Sequence, residues 1–316
     1  MEFFSFVSRS AAFIFKRLSY SFIQIWVIVS VTFFILHALP GDPFFNEKGI
    51  HEEVKKELLS KYNLDKPLYI QYLSYSKALL KGDFGFSIRY PGKRVSDFIR
   101  TTFTYSLDLG INALILALLF GFLIGVIGAL NEKNLIGSLT SYIPIIILSV
   151  PVMVIAYFIQ TLFAVWLKIL PIGQYVSLKH KILPALSLAL VPMAVIIRMI
   201  KASIEDILSK DYITTAKAKG LPTHKIVFDH CLRNASLPVI SYIGRIFASI
   251  ITGAFIIEKI FIIPGLGEVY LESIETRDYP MVLGLTIFYS FILIISMTIS
   301  DLLAAYMDPR LSKGRA

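Results

Sequence analysis

Groups that could do chemistry are sparse in this chain and scattered along it. Five histidines, His37, His51, His180, His224 and His230, make no ligand pattern. His224 and His230 are six residues apart, which misses the i, i+4 spacing that sets two imidazoles on one helix face. The single cysteine, Cys231, can form no internal disulfide and reads as a small buried side chain. No Gly-x4-Gly-Lys-Ser/Thr loop occurs, so the chain carries no recognisable cradle for nucleotide phosphates. No nucleophile and base, and no pair of acids, stand together inside the apolar stretches, which argues against an intramembrane hydrolase. Arg245 falls inside an apolar run, where snorkelling to the nearer surface is the default and a place on a solute path comes next. Asp108 and Asp301 lie near the ends of theirs and read as interfacial.

The residues that must position these groups are overwhelmingly apolar. Of 316 residues 56% are hydrophobic and only 17% charged, and the apolar ones gather in long separate runs. A helix needs about 20 residues to cross roughly 30 Å of hydrocarbon. Six runs reach that length: Leu18 to Leu39, Leu107 to Leu130, Tyr142 to Trp166, Ile182 to Ile200, Leu237 to Ile257 and Met281 to Tyr306. Pro144 and Pro151 in the third and Pro184 and Pro192 in the fourth predict kinks rather than breaks. Gly121, Gly125 and Gly128 mark a close-packing face on the second. The first run is too long for a signal-peptide core and ends in Leu39-Pro40-Gly41-Asp42, so it reads as a retained anchor. The fold class expected is an all-α polytopic membrane protein of about six transmembrane helices.

Basic flanks set the expected topology. Arg9, Lys16 and Arg17 precede the first span and put the amino terminus in the cytoplasm. Six spans then place residues 201–236, with Lys201, Lys210, Lys217, Lys219, Lys225 and Arg233, on the same side, and the carboxyl terminus too. The acidic stretch 258–280 falls outside, with Glu258, Glu268, Glu272, Glu275 and Asp278 against Lys259 and Arg277. The expected organisation is an amino-terminal anchor over 1–39, an extracytoplasmic segment over 40–106, a permease core over 107–306 and a tail over 307–316. In the outer segment Glu52 to Tyr62 and Leu68 to Leu80 read as helices, and so few core positions must lean on the membrane part. The formal charge of +9 sits largely beside spans, where it meets anionic lipid, and gives no case for nucleic acid.

The stretch between the fourth and fifth spans is far longer than a connection requires. Ile204, Ile207, Leu208 and Ile213 mark an apolar side, Asp211 can cap a helix amino terminus, and Gly220 can close that helix in a left-handed conformation. Tyr212 to Lys219 then predicts about two turns, roughly 12 Å long, with Lys217 and Lys219 complementing the carboxyl-terminal dipole. A short helix on a folded loop suits docking to a partner; an amphipathic helix lying on lipid is the alternative.

Asp211-Tyr212-Ile213-Thr214-Thr215-Ala216-Lys217-Ala218-Lys219-Gly220, followed by His230-Cys231-Leu232-Arg233-Asn234-Ala235, resembles the cytoplasmic "EAA" loop of ABC importer permeases in the form used by the oligopeptide, dipeptide and nickel group. Against the general loop pattern only Ala216, Gly220 and Leu232 agree; the departures are those of that group. The likeness runs along nearly the whole chain, through Leu39-Pro40-Gly41-Asp42-Pro43, Gly82-Asp83-Phe84-Gly85-x-Ser87, Leu183-Pro184-Ala185-Leu186, Pro264-Gly265-Leu266-Gly267, Arg277-Asp278-Tyr279-Pro280 and Asp308-Pro309-Arg310. The resemblance implies a type I, MetI-like permease core in a bacterial-type cytoplasmic membrane, with an extracytoplasmic insertion after the first helix. It implies a second, related but different permease, two cytoplasmic ATPase subunits that hold ATP and Mg, and an extracytoplasmic solute-binding protein. The chain itself would bind no cofactor or metal and catalyse nothing. Its contact with the ATPase would be Asp211, Tyr212, Thr215, Ala216, Lys217, Ala218 and Gly220. The cargo implied is a dipeptide or oligopeptide, with nickel or another small solute as the alternative. An ion-coupled secondary transporter, the competing class, would call for intramembrane acids, discontinuous helices or related halves.

Overall fold

The computed structural model describes residues 2–38, 60, 65–218, 220 and 222–307, and those residues are almost wholly helical. The helices are α1 (Glu2–Ala38), α2 (Leu68–Leu80), α3 (Val95–Leu130), α4 (Leu135–Ser149), α5 (Val152–Gln160), α6 (Leu178–Leu208), α7 (Asp211–Ala218), α8 (Thr223–Ile226), α9 (Leu232–Ile260), α10 (Leu266–Glu275) and α11 (Tyr279–Met307). Wider π-helical turns extend α5 over Thr161–Trp166 and precede α9 over Val227–Cys231. Among the described residues five helices are long and apolar enough to cross a membrane, and the α4–α5 pair makes a sixth if its two limbs form one span.

That pair corrects the sequence reading. Tyr142 to Trp166 is not one kinked helix, because α4 and the α5 limb meet at 105°. Pro144 sits inside α4 without breaking it. Pro151 does break the chain, since a residue before proline is driven out of the helical region, and Val150 is extended at φ −99°, ψ 132°. Pro184 and Pro192, by contrast, lie within an unbroken α6. Two loop assignments also move: Lys201 belongs to α6 and Glu258 to α9, and both are buried. The acidic stretch after α9 holds α10, a helix the sequence reading did not anticipate. The expected helix over Glu52 to Tyr62, the Leu39-Pro40-Gly41-Asp42-Pro43 motif and Asp308-Pro309-Arg310 fall outside the described residues, position 60 excepted.

The chain divides into two compact units, Met1–Phe103 with Val269–Ile294, and Thr104–Glu268 with Ile295–Ala316. In the first, the segment after α1 packs on α1 and α11. Phe33 and Leu36 of α1 form an apolar cluster with Tyr279, Val282 and Leu283 of α11, and Tyr72 and Tyr75 of α2 pack against it. Burial pushes the Tyr75 phenol well above its usual pKa. The Ser30 and Tyr72 hydroxyls meet at 2.6 Å, and His37 bridges the Phe33 carbonyl and Gln71. Two motifs far apart in sequence join here: Asp278 accepts hydrogen bonds from the Ser87 hydroxyl and, at 3.2 Å, from the Arg89 amide.

In the second unit α6 is the central post, packed against α4, α5 and α9. The glycine face on α3 does pack closely. A Cβ on Gly121 or Gly125 would stand 2.9 Å from the Cβ of Ile196 or Ile200 on α6, so only glycine lets these backbones approach. At the end of this unit nearer α2 in sequence, Asp108 accepts bonds from Tyr175 and Lys181, each at 2.7 Å. Burial first, then the bond to Asp108, lifts the Tyr175 phenol far above its ordinary pKa. Arg245 lies on α9 with its guanidinium 5.5 Å from the centre of the Tyr242 ring.

Candidate coupling site

The described residues of the segment 209–231 are folded. α6 ends at Ser209, whose amide donates to the Asp206 carbonyl, and Lys210 reaches back one turn to Asp206 at 3.0 Å. α7 starts at once. Asp211 is its first residue rather than a preceding cap, so its carboxylate acts on the positive end of the helix dipole. Eight residues at about 1.5 Å each give about 12 Å, the length the sequence suggests. Gly220 follows at φ +80°, the left-handed conformation that ends a helix and that a side chain disfavours.

A two-turn helix is far too short to hold itself together in water. What holds α7 is Ile213, fully buried in one core with Ile204 and Ile207 of α6, Ile226 of α8, and Val227 and Cys231 of the π-helical turn that precedes α9. Burying that one side chain is worth about 1.5–3 kcal/mol. The reverse side is open. Asp211, Tyr212, Thr215 and Ala218 are all exposed, Tyr212 at 51%. At 100° per residue they span an arc of about 120° whose middle lies roughly opposite Ile213. The structure thus brings four of the seven expected contact residues onto one free face. Gly220 stands just beyond it with nothing within 4 Å of where a Cβ would be. Ala216 and Lys217 occupy helical positions in α7, but their side chains lie outside the described residues, as does Lys219.

No group of three or more His, Cys, Asp or Glu side chains could hold a metal among the described residues. His37 and His180 are engaged separately, the latter with Ser177 at 2.8 Å, and Cys231 is buried as expected. The polar groups that sequence reasoning missed are structural. Glu258, fully buried, accepts the Gly267 amide at 2.8 Å and so pins the Pro264-Gly265-Leu266-Gly267 turn to the end of α9. Lys201 ties α6 to the start of α4 through the Gly137 carbonyl at 2.6 Å. Their charge in a mainly apolar stretch was the available signal.

The described residues form a bundle of apolar spans that offers one anchored short helix on a folded loop. The family of binding-protein-dependent transport system inner membrane components matches residues 117–313, and the chain belongs to that family. It is 42% identical over 301 residues to the dipeptide transport system permease protein DppB of Bacillus subtilis, an alignment that takes in 95% of this chain and 98% of that one. It is 36% identical over 298 residues to DppB of Lactococcus lactis and 36% over 301 residues to the oligopeptide transport system permease protein OppB of Escherichia coli, each alignment taking in 98% of the relative. The fold matches a chain of the MetNI methionine ABC transporter in an inward-facing crystal form, with a TM-score of 0.56 at 14% identity, covering 67% of this chain and 96% of that one. The protein is therefore an integral membrane permease of the ABC importer class. The break between α4 and α5 therefore gives no case for an ion-coupled carrier.

Proposed function

We propose that this chain forms half of the path by which an ABC importer carries dipeptides or short oligopeptides across the cytoplasmic membrane. The observation that carries the reading is the alignment with a dipeptide permease at 42% identity over almost the full length of both chains. A second, related permease completes the path, a solute-binding protein delivers the peptide from outside, and two ATPase subunits holding ATP and Mg work from the cytoplasm. Both termini and the 209–231 segment face that compartment.

In this reading α7 is the coupling helix. Its exposed face of Asp211, Tyr212, Thr215 and Ala218 sits in a groove of one ATPase subunit. Its buried Ile213 fastens it to α6 and to the lead into α9. Because those helices pack against each other, a displacement of α7 moves two spans together rather than bending a loop. The permease itself holds no nucleotide, and its residues position and transmit.

The test is uptake by the complete transporter in proteoliposomes, with ATP inside and loaded binding protein outside. Labelled dialanine accumulates in an ATP-dependent way and nickel does not. Nickel uptake without dipeptide uptake would overturn the cargo assignment, and uptake driven by an ion gradient without ATP would overturn the class of mechanism.

A further inference from the structure

Between the start of α4 and the final third of α6, the second unit bears an open cleft of about 410 Å³ that the coupling of α7 does not use. Four charged side chains line it, Arg198 and Lys201 against Glu132 and Glu205. Lys201 is only 8% exposed, and its ammonium spends two protons on the Gly137 carbonyl and the Ser141 hydroxyl. It also forms an ion pair with the Glu205 carboxylate at 3.8 Å, too long for a hydrogen bond, so the third proton has no direct acceptor there. Arg198, three residues earlier on the same helix, is exposed and makes no hydrogen bond or ion pair with any described residue. Neither does Glu132. A guanidinium without a carboxylate on a membrane-spanning helix is costly unless something else meets it.

The charge balance selects the occupant. A free anion would gain from Arg198 and Lys201 but would also face two carboxylates, so phosphate alone is a poor match. A zwitterion satisfies all four groups. The cavity also continues onto a lipid-type surface: Tyr142 and Ile145 line it, and Ile146 follows on the exposed apolar side of α4. A polar socket at the foot of an apolar helix face has the form of a phospholipid site, headgroup in the socket and acyl chains along the helix. A quaternary ammonium brings no N–H donor and calls for several aromatic faces, whereas Tyr142 is the one aromatic ring on this lining. A primary ammonium brings three donors for two carboxylates.

We propose that this cavity binds the headgroup of an amino-phospholipid of the phosphatidylethanolamine type, its phosphate on Arg198 and Lys201 and its ammonium on Glu132 and Glu205. The lipid then braces α4 against α6 at the end of α6 that carries the 209–231 segment.

The experiment is native mass spectrometry of the assembled transporter, released from detergent after titration with phosphatidylethanolamine, phosphatidylcholine or phosphatidylglycerol of matched chains. The wild type retains phosphatidylethanolamine about tenfold more tightly than either other lipid, and Arg198→Gln and Glu132→Gln each weaken it about tenfold. Because neither side chain makes a hydrogen bond or ion pair with a described residue, both variants are expected to assemble as the wild type does, which size-exclusion of the complex checks. Lys201→Gln is the less clean variant, since it also removes the tie to Gly137. Equal retention of the three lipids, or unchanged retention in Arg198→Gln, would overturn the proposal. So would displacement of the lipid by dialanine, which would make the cavity a peptide site, or by soluble phosphoethanolamine at equal concentration, which would remove any role for the acyl chains.

Discussion

Replacing Ile213 by alanine separates the anchoring of α7 from its contact face. Ile213 is fully buried, so truncation loses the transfer free energy of three carbons and leaves a cavity in the core it shares with Ile204, Ile207 and Val227. Substitutions of this kind cost about 2–5 kcal/mol. The helix is two turns long and has no other fully buried side chain among its described residues, so the loss falls on the docked state of α7 itself. A cost of about 3 kcal/mol raises the undocked fraction roughly 150-fold. Hydrogen exchange should therefore quicken by about two orders of magnitude for the α7 amides, with the amides of α6 above Ile204 unchanged. ATP hydrolysis by the assembled transporter should persist while dipeptide uptake falls steeply, because nucleotide closure no longer moves α6 and α9. Ile213→Val, costing about 0.5–1.5 kcal/mol, should retain most uptake. Normal coupling in Ile213→Ala despite fast exchange would refute the claim that α7 acts as a lever, and slow exchange would refute the claim that this one side chain holds it.

Further expectations bear on the frame around the site. Gly125→Val places a branched side chain against Ile200, whose Cβ already lies within 2.9 Å of an added Cβ, so α3 and α6 cannot keep their spacing and the folded yield in membranes drops severalfold; normal yield would remove the close-packing argument. At Gly220 the left-handed backbone makes Gly220→Val destabilising by about 1–2 kcal/mol and Gly220→Asn nearly neutral, read by exchange across 209–231. Asp108→Asn removes the ion pair with Lys181 and weakens the bond to Tyr175, so the segment before α6 exchanges faster while α7 does not. The hydrogen bond from Tyr90 to Glu272 raises the Tyr90 pKa above its ordinary value of 10.0. Its contribution is complete below that value and lost as pH climbs through the raised one, and ultraviolet titration of Tyr90→Phe should lack that late-titrating phenol.

The spans were legible because apolar length is nearly the whole requirement for crossing hydrocarbon, and α2 matches the expected Leu68 to Leu80 residue for residue. The α7 helix was legible for local reasons, its length set between the end of α6 and the left-handed Gly220. The broken third span was not, because Pro144, Pro184 and Pro192 are tolerated while Pro151 is not. The difference lies in whether the preceding residue can stay helical, and that is decided by neighbours distant in sequence. Lys201 and Glu258 were read as loop charges for the same reason. Their partners, the Gly137 carbonyl and the Gly267 amide, stand beside them only once the chain is folded. The open arc on α7 was half legible: the residue types were visible, but which side faces out depends on where Ile213 is buried.

The most direct test of the coupling assignment is photo-crosslinking from Tyr212, replaced by a photoreactive phenylalanine analogue in the complete transporter. Tyr212 is 51% exposed on the open face of α7. One dominant adduct is expected, between this chain and an ATPase subunit, and its yield changes when nucleotide closes the ATPase pair. Adducts only to lipid or to the binding protein, with none to the ATPase in any nucleotide state, would contradict it.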